Sequence, residues 1–173
     1  MTDPVDTTLI LGGARSGKSR RALALAEARA QTRVFIATAE ALDDEMSDRI
    51  ARHEAERGEG WGTVEAPLDL VSAIAAHVDP DRICVVDCLT LWLSNLMHHG
   101  GDIEAETAAL CEALSAPRGP IILVSNEVGL GLVPETPLGR AFRDAQGRLN
   151  QAVAAACTKV EFVAAGLPLT LKG

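Results

Sequence analysis

Eight residues near the amino terminus, Gly12-Gly13-Ala14-Arg15-Ser16-Gly17-Lys18-Ser19, constrain the fold of this chain more than any other stretch. The apolar run Leu9-Ile10-Leu11 precedes them, and an alanine-rich segment from Arg20 to Ala30 follows. Strand, glycine-rich loop and helix in that order is the setting a phosphate-binding P-loop requires. Gly12, Gly13 and Gly17 let the backbone turn tightly and aim several N–H groups at one anion. The helix that follows offers its amino terminus to the same phosphates. Lys18 is spaced to reach the β- and γ-phosphates, and the Ser19 hydroxyl to ligate Mg²⁺. The motif predicts a nucleoside triphosphate and leaves open what is done with it.

The rest of the chain alternates short apolar runs with helical patterns. Strands are expected at Thr8–Leu11, Arg33–Ala37, Ile83–Asp87, Ile121–Ser125 and Glu161–Ala164, with a last one over Pro168–Lys172. Helices are expected at Ser19–Ala30, Glu45–Arg57, Leu68–His77, Leu89–His98, Ile103–Leu114 and Leu138–Cys157. Nearly continuous apolar strands are buried on both faces, and this alternation predicts an α/β fold with a mostly parallel sheet flanked by helices. Gly58-Glu59-Gly60 and Pro134-Glu135-Thr136-Pro137 read as loops. No repeat or linker divides residues 1–173, so one P-loop catalytic domain is expected over the whole chain.

Ligands of open α/β sheets bind beyond the carboxyl ends of the strands. That rule selects the P-loop, Ala37-Thr38-Ala39, Asp87-Cys88-Leu89-Thr90 and Asn126-Glu127. Asp87 ends an apolar run and suits a Mg²⁺ ligand, but it also suits an N-cap for the next helix. Glu127 suits either a residue orienting an acceptor hydroxyl or a structural hydrogen-bond partner. His53 shares a helical stripe with Met46, Ile50 and Arg57, with Arg49 alongside. An unprotonated imidazole can attack phosphorus, and a neighbouring arginine opposes its protonation. The spacing alone favours a histidine with no chemical role, partly buried or facing solvent on an amphipathic helix.

Composition narrows the partners. A net charge of −8 on 173 residues argues against nucleic acid. No run has transmembrane length and the acidic start is no signal peptide, so a cytoplasmic protein without membrane insertion is expected. Cys84 and Cys88 flank a strand about 13 Å long, too far apart for a disulfide. Together with Cys111 and Cys157 they read as reduced structural thiols.

Several further blocks bear a resemblance to a known family. They are Ile36-Ala37-Thr38-Ala39, Leu42-Asp43-Asp44-Glu45-Met46 with Arg49-Ile50 and His53, and Trp61, Thr63 and Glu65. Val86-Asp87-Cys88-Leu89-Thr90-Leu91-Trp92-Leu93-Ser94-Asn95-Leu96 follows, then Val124-Ser125-Asn126-Glu127-Val128-Gly129 with Gly131-Leu132-Val133-Pro134, and Phe142-Arg143-Asp144 with Gly147-Arg148-Leu149-Asn150-Gln151. With the P-loop, these blocks resemble the bifunctional adenosylcobinamide kinase / adenosylcobinamide-phosphate guanylyltransferase over nearly the whole chain.

The resemblance implies a RecA-like P-loop fold, a homotrimer and two reactions. ATP or GTP first phosphorylates adenosylcobinamide. GMP from GTP then passes through a covalent histidine to adenosylcobinamide phosphate, giving adenosylcobinamide-GDP and pyrophosphate. The implied nucleophile is His53, with Lys18 as the other catalytic residue. The implied nucleotide contacts are Gly12, Gly13, Ala14, Arg15, Ser16, Gly17, Lys18, Ser19, Ala37, Thr38, Ala39, Glu54, Ala55, Glu56, Arg57, Glu65 and Asp87. Mg²⁺ falls to Ser19 and Asp87.

The chain departs from the family at Gly62 and at Gly58-Glu59-Gly60, both expected near the nucleotide. Two other readings keep the P-loop. One is a small-metabolite kinase without nucleotidyl transfer, and the other a nucleotide-driven switch or assembly module.

Overall fold

A computed structural model describes residues 5–40 and 57–173. Its strands are β1 (Thr7–Gly12), β2 (Arg33–Ala37), β3 (Trp61–Glu65), β4 (Ile83–Asp87), β5 (Ile121–Asn126), β6 (Lys159–Ala164) and β7 (Leu167–Lys172). The helices are α1 (Lys18–Arg29), α2 (Leu70–His77), α3 (Leu89–His98), α4 (Ile103–Ser115) and α5 (Pro137–Ala156). The expected helix over Glu45–Arg57 lies outside the described residues except for Arg57.

One seven-stranded sheet has the order β3-β2-β4-β5-β1-β6-β7. Every neighbouring pair is parallel except β6 with β7. The central strands are apolar throughout because alternate residues go to different cores. Leu9, Ile36, Val86 and Leu123 enter a core with α2, α3, α4 and α5. Ile10, Phe35, Val85 and Ile122 enter a second core, where Ala22 and Ala26 of α1 pack on them. A strand covered on both sides has no solvated face to mark with polar residues.

Local chemistry sets the helix starts. The Thr136 hydroxyl accepts the Gly139 N–H, and Pro137 opens α5 where no N–H is required. Asp102 caps α4 by accepting from the Ala105 N–H at 3.0 Å. Helix α2 begins at Leu70, two residues later than its pattern suggests, and the Leu68 carbonyl accepts the Trp92 indole N–H at 2.9 Å.

The strand β3 was not expected. It is a sheet edge with no long apolar run, and its neighbour β2 stabilises it from one side. Trp61 fixes its start: the ring stands edge-on to Phe35 and lies under the Arg33 guanidinium. Because β3 runs parallel to β2, the loop Gly58-Glu59-Gly60 lies at the amino ends of the strands. The expectation that this loop and Gly62 adjoin the nucleotide is therefore corrected. They belong to the sheet end opposite the P-loop. Gly60 has φ +86, and a Cβ there would come within 2.8 Å of the Gln31 carbonyl oxygen and an Arg33 guanidinium nitrogen. A close approach of backbones accounts for that glycine.

Candidate active site

The carboxyl ends of β1, β4 and β5 bring the predicted phosphate and acidic residues to one edge. Gly12 pairs in register with Asn126, and Asp87 with Val124. β5 lies between β1 and β4, so Gly12 and Asp87 are two strand spacings apart across the sheet, roughly 10 Å, with Asp87 two residues short of Gly12 along the strands. Cys88, next to Asp87, senses both sides of this edge. Burial pushes its thiol up to about 11, the Asp87 carboxylate adds to that, and the Lys18 charge opposes it.

The loop between β1 and α1 is tightly held. A Cβ on Gly12 would lie 2.5 Å from the Val163 carbonyl oxygen and 2.6 Å from Ser16 Oγ, so no larger residue fits. Arg15 and Gly17 adopt positive φ of 55° and 100°, folding the loop back over the helix start. Lys18 is buried, and its Nζ donates to the Gly13 carbonyl oxygen at 2.6 Å. The Gly12 carbonyl oxygen accepts the Glu127 N–H at 2.9 Å, and the Ser16 carbonyl oxygen accepts the Gly166 N–H at 2.8 Å. Ser16 Oγ is buried without a hydrogen-bond partner among the described residues. A polar hydrogen left unused inside a glycine-rich turn is suited to an anion's oxygen.

Asp87 is not the cap of α3, since Cys88 holds that position without a side-chain bond. Beside it, Thr38 is completely buried. Its hydroxyl donates to the Cys88 carbonyl oxygen at 2.7 Å and accepts the Cys88 N–H at 2.8 Å. Asn95 Nδ2 donates to the carbonyl oxygens of Thr38 at 2.8 Å and Pro67 at 3.0 Å. The loops after β2 and β3 are thereby tied to one side chain on α3, and Thr38 carries the tie on to the residue after β4.

The remaining candidates sit in different places. Glu65 ends β3, level with Ala37 at the end of β2. Arg57 lies further down the sheet, its guanidinium over the Phe35 ring at 3.9 Å and donating to Thr63 Oγ1 at 3.1 Å. Glu127 accepts the Gly129 N–H on its own carboxylate, a local turn bond. His53, Glu54, Ala55 and Glu56 lie outside the described residues. Among the described residues no three His, Cys, Asp or Glu side chains cluster as a metal site.

The sequence reading gave no individual role to some residues that shape this edge. Asn95 sits in an apolar helix, where nothing signals its two carbonyl partners. Ser125, Gln146 and Asn150 form a buried network in which Ser125 Oγ donates to Asn150 Oδ1 at 2.7 Å. Asn150 Nδ2 in turn donates to the Asn126 carbonyl oxygen at 3.1 Å, anchoring α5 beneath the end of β5. The Gly166 contact had one signal, the Ala165-Gly166 pair between two strand patterns. After Glu127 the chain exposes Leu130, Leu132, Val133 and Leu138, with Leu132 96% accessible.

Comparison with known proteins agrees with this arrangement. The type III secretion ATPase EscN of enteropathogenic Escherichia coli superposes with a TM-score of 0.58 at 12% identity. That alignment covers 93% of this chain and 43% of the ATPase chain, and at such identity it shows the P-loop ATPase fold alone. The bifunctional adenosylcobalamin biosynthesis protein CobP of Pseudomonas aeruginosa is 49% identical over 95% of this chain and 96% of its own. The bifunctional adenosylcobalamin biosynthesis protein CobU of Escherichia coli K12 is 41% identical over 95% and 98%. Residues 8–171 match the family described as cobinamide kinase / cobinamide phosphate guanyltransferase. The chain therefore belongs to the cobinamide kinase / cobinamide phosphate guanyltransferase family, a family of bifunctional enzymes.

Proposed function

We propose that this enzyme phosphorylates the aminopropanol hydroxyl of adenosylcobinamide with ATP or GTP. It then transfers GMP from GTP to the resulting phosphate through His53, yielding adenosylcobinamide-GDP and pyrophosphate. The observation that carries this reading is the P-loop, built on the same sheet edge as Asp87 in a chain that matches the family from residue 8 to 171.

In the kinase step, the loop N–H groups and Lys18 hold the triphosphate while the acceptor oxygen bonds to the γ-phosphorus; the bond from that phosphorus to the β-phosphate oxygen breaks, ADP or GDP leaves, and the hydroxyl proton passes to solvent. In the transfer step, an imidazole nitrogen of His53 forms a bond to the α-phosphorus and the bond to pyrophosphate breaks. An oxygen of adenosylcobinamide phosphate then attacks the same phosphorus, and the phosphorus–nitrogen bond breaks. One loop cannot present the α- and γ-phosphorus at a single point. Either the nucleotide or the segment bearing His53 changes position between steps. Bound structures of both steps with His53 equally close to the same phosphorus would contradict this.

The oxygen donors of Ser19 and Asp87 are of the hard type that Mg²⁺ takes. These two residues would hold the ion, which would supply charge neutralisation at the phosphate oxygens. Ala37, Thr38, Ala39, Glu65 and the Glu54–Arg57 turn are assigned to the nucleotide. The Thr38 hydroxyl is committed to Cys88, its N–H to the Asp87 carbonyl and its own carbonyl to Asn95, so its contribution is to hold this strand end in place. We assign the enzyme to the cytoplasm as a single domain assembled into a homotrimer.

The test is incubation with Mg²⁺ and GTP labelled at the α-phosphate, followed by denaturation and intact-mass analysis, beside His53→Ala. An acid-labile GMP adduct on the parent alone is expected. No adduct on a protein that binds GTP would leave a plain kinase.

A further inference from the structure

The carboxy-terminal hairpin of β6 and β7 is built into the P-loop. β6 pairs with β1 up to Gly12 and Val163. Arg21 on α1 grips Glu161 on β6 with a two-bond fork, Nε to Oε2 and Nη2 to Oε1, both 2.8 Å. At the hairpin tip, Ala165 and Gly166 take φ of 52° and 79°, the pair of positive angles that a tight two-residue turn uses. That turn lies against Gly17, whose added Cβ would meet Gly166 Cα at 3.2 Å. The Gly166 N–H donates to the Ser16 carbonyl oxygen at 2.8 Å.

The last contact has a consequence for the loop. In a planar trans peptide the C=O and the following N–H point in opposite directions. The Ser16 carbonyl is drawn outward to the hairpin, so the Gly17 N–H points the other way. Gly17 precedes the first residue of α1, and its N–H has no intrahelical acceptor. With glycine on one side, this peptide can rotate at little cost unless something selects one orientation. We infer that Gly166 is a positioning residue for the phosphate site: its N–H fixes the Ser16–Gly17 peptide so that the Gly17 N–H is preset to donate to a nucleotide phosphate. The Glu127 N–H does the same at the other end of the loop by holding the Gly12 carbonyl. The inference rests on the reading that this loop takes a nucleoside triphosphate.

The test removes one hydrogen. Residues 157–173 are supplied as a synthetic peptide ligated at Cys157, with an ester oxygen in place of the Gly166 N–H. The same ligation with an ordinary amide is the control. The readouts are affinity for GTP with Mg²⁺ and the nucleotide-induced change in the Gly17 amide resonance. Loss of a preset donor should weaken GTP binding about three- to ten-fold and shrink the Gly17 response. A bond that serves only stability would lower the melting temperature and leave the Gly17 response intact, which would overturn the inference. If the control binds neither GTP nor ATP, the triphosphate reading fails, and the inference with it. If the ester protein does not refold, amide exchange in the parent decides. Gly166 exchange slowed by GTP supports the inference, and exchange at the free-peptide rate with and without GTP overturns it.

Discussion

The Thr38 hydroxyl and the Cys88 backbone hold each other in both directions, one bond donated at 2.7 Å and one accepted at 2.8 Å. The pair welds the end of β2 to the residue after Asp87, and Thr38 is wholly buried. Thr38→Val keeps the shape and deletes both bonds, leaving a buried N–H and C=O of Cys88 without that partner. We expect a loss of about 2–4 kcal/mol by urea denaturation, with Thr38→Ser recovering most of it. A Thr38→Val protein as stable as the parent would show that the hydroxyl is dispensable.

Lys18 is buried within the loop that it serves, and its ammonium bonds to the Gly13 carbonyl oxygen. Lys18→Ala should lower kcat for phosphoryl transfer on the order of 10²-fold or more, because charge stabilisation is lost in a water-poor site. Lys18→Arg should not restore it, since the forked guanidinium does not match a compact ammonium. Steady-state kinetics of both variants check this.

Burial raises the thiols of Cys84 and Cys88 from 9.0 to about 11, and that of Cys157 to about 12. All four cysteines are free. Above pH 9 the unfolded chain loses thiol protons that the folded chain keeps, so fewer protons are bound in the unfolded state and stability falls as pH rises. The contribution is complete below pH 9 and disappears through pH 11 to 12. Melting temperatures from pH 8 to 11 should drop, and replacing Cys157 with Ala should flatten the drop. At neutral pH these thiols should resist alkylation in the native state.

Glu161 behaves oppositely. Its hydrogen bonds from Arg21 hold the carboxyl below its usual 4.5; burial opposes them, and the Arg21 and Lys159 charges add smaller effects in the same direction as the bonds. The unfolded chain takes up the proton first as pH falls, so the stabilisation is present above pH 4.5 and is lost below it. Acid titration of Glu161→Gln should show a shallower decline than the parent between pH 5 and pH 3.

Leu130, Leu132, Val133 and Leu138 form an exposed apolar surface beside Glu127, and Leu167, Leu169 and Leu171 form another along β7. Surfaces of this kind mark association. If the first is covered in the proposed trimer, Leu132→Asp should shift light-scattering mass toward the monomer. Unchanged mass would direct the search to β7.

The P-loop was legible because its chemistry is local. Three glycines, a lysine and a serine at fixed spacing can be read without knowing what surrounds them. The two-sided burial of β1, β2, β4 and β5 was legible for a related reason, since strands without a solvated face carry no polar alternation. β3 was not, because an edge strand needs one partner and so few apolar residues. Its placement also moved Gly58-Glu59-Gly60 to the far end of the sheet, a consequence of parallel pairing that no linear reading contains.

The sequence alone therefore determined the α/β class, the loop that meets phosphate and the acidic strand end at Asp87. Only the tertiary structure decided what holds them. Thr38 braces Cys88, Asn95 holds the Thr38 carbonyl in turn, and Glu127 and Gly166 fix the loop carbonyls through backbone N–H groups. Every residue except proline carries that same N–H, so its side chain cannot announce where the hydrogen is used. The path of the folded chain assigns it.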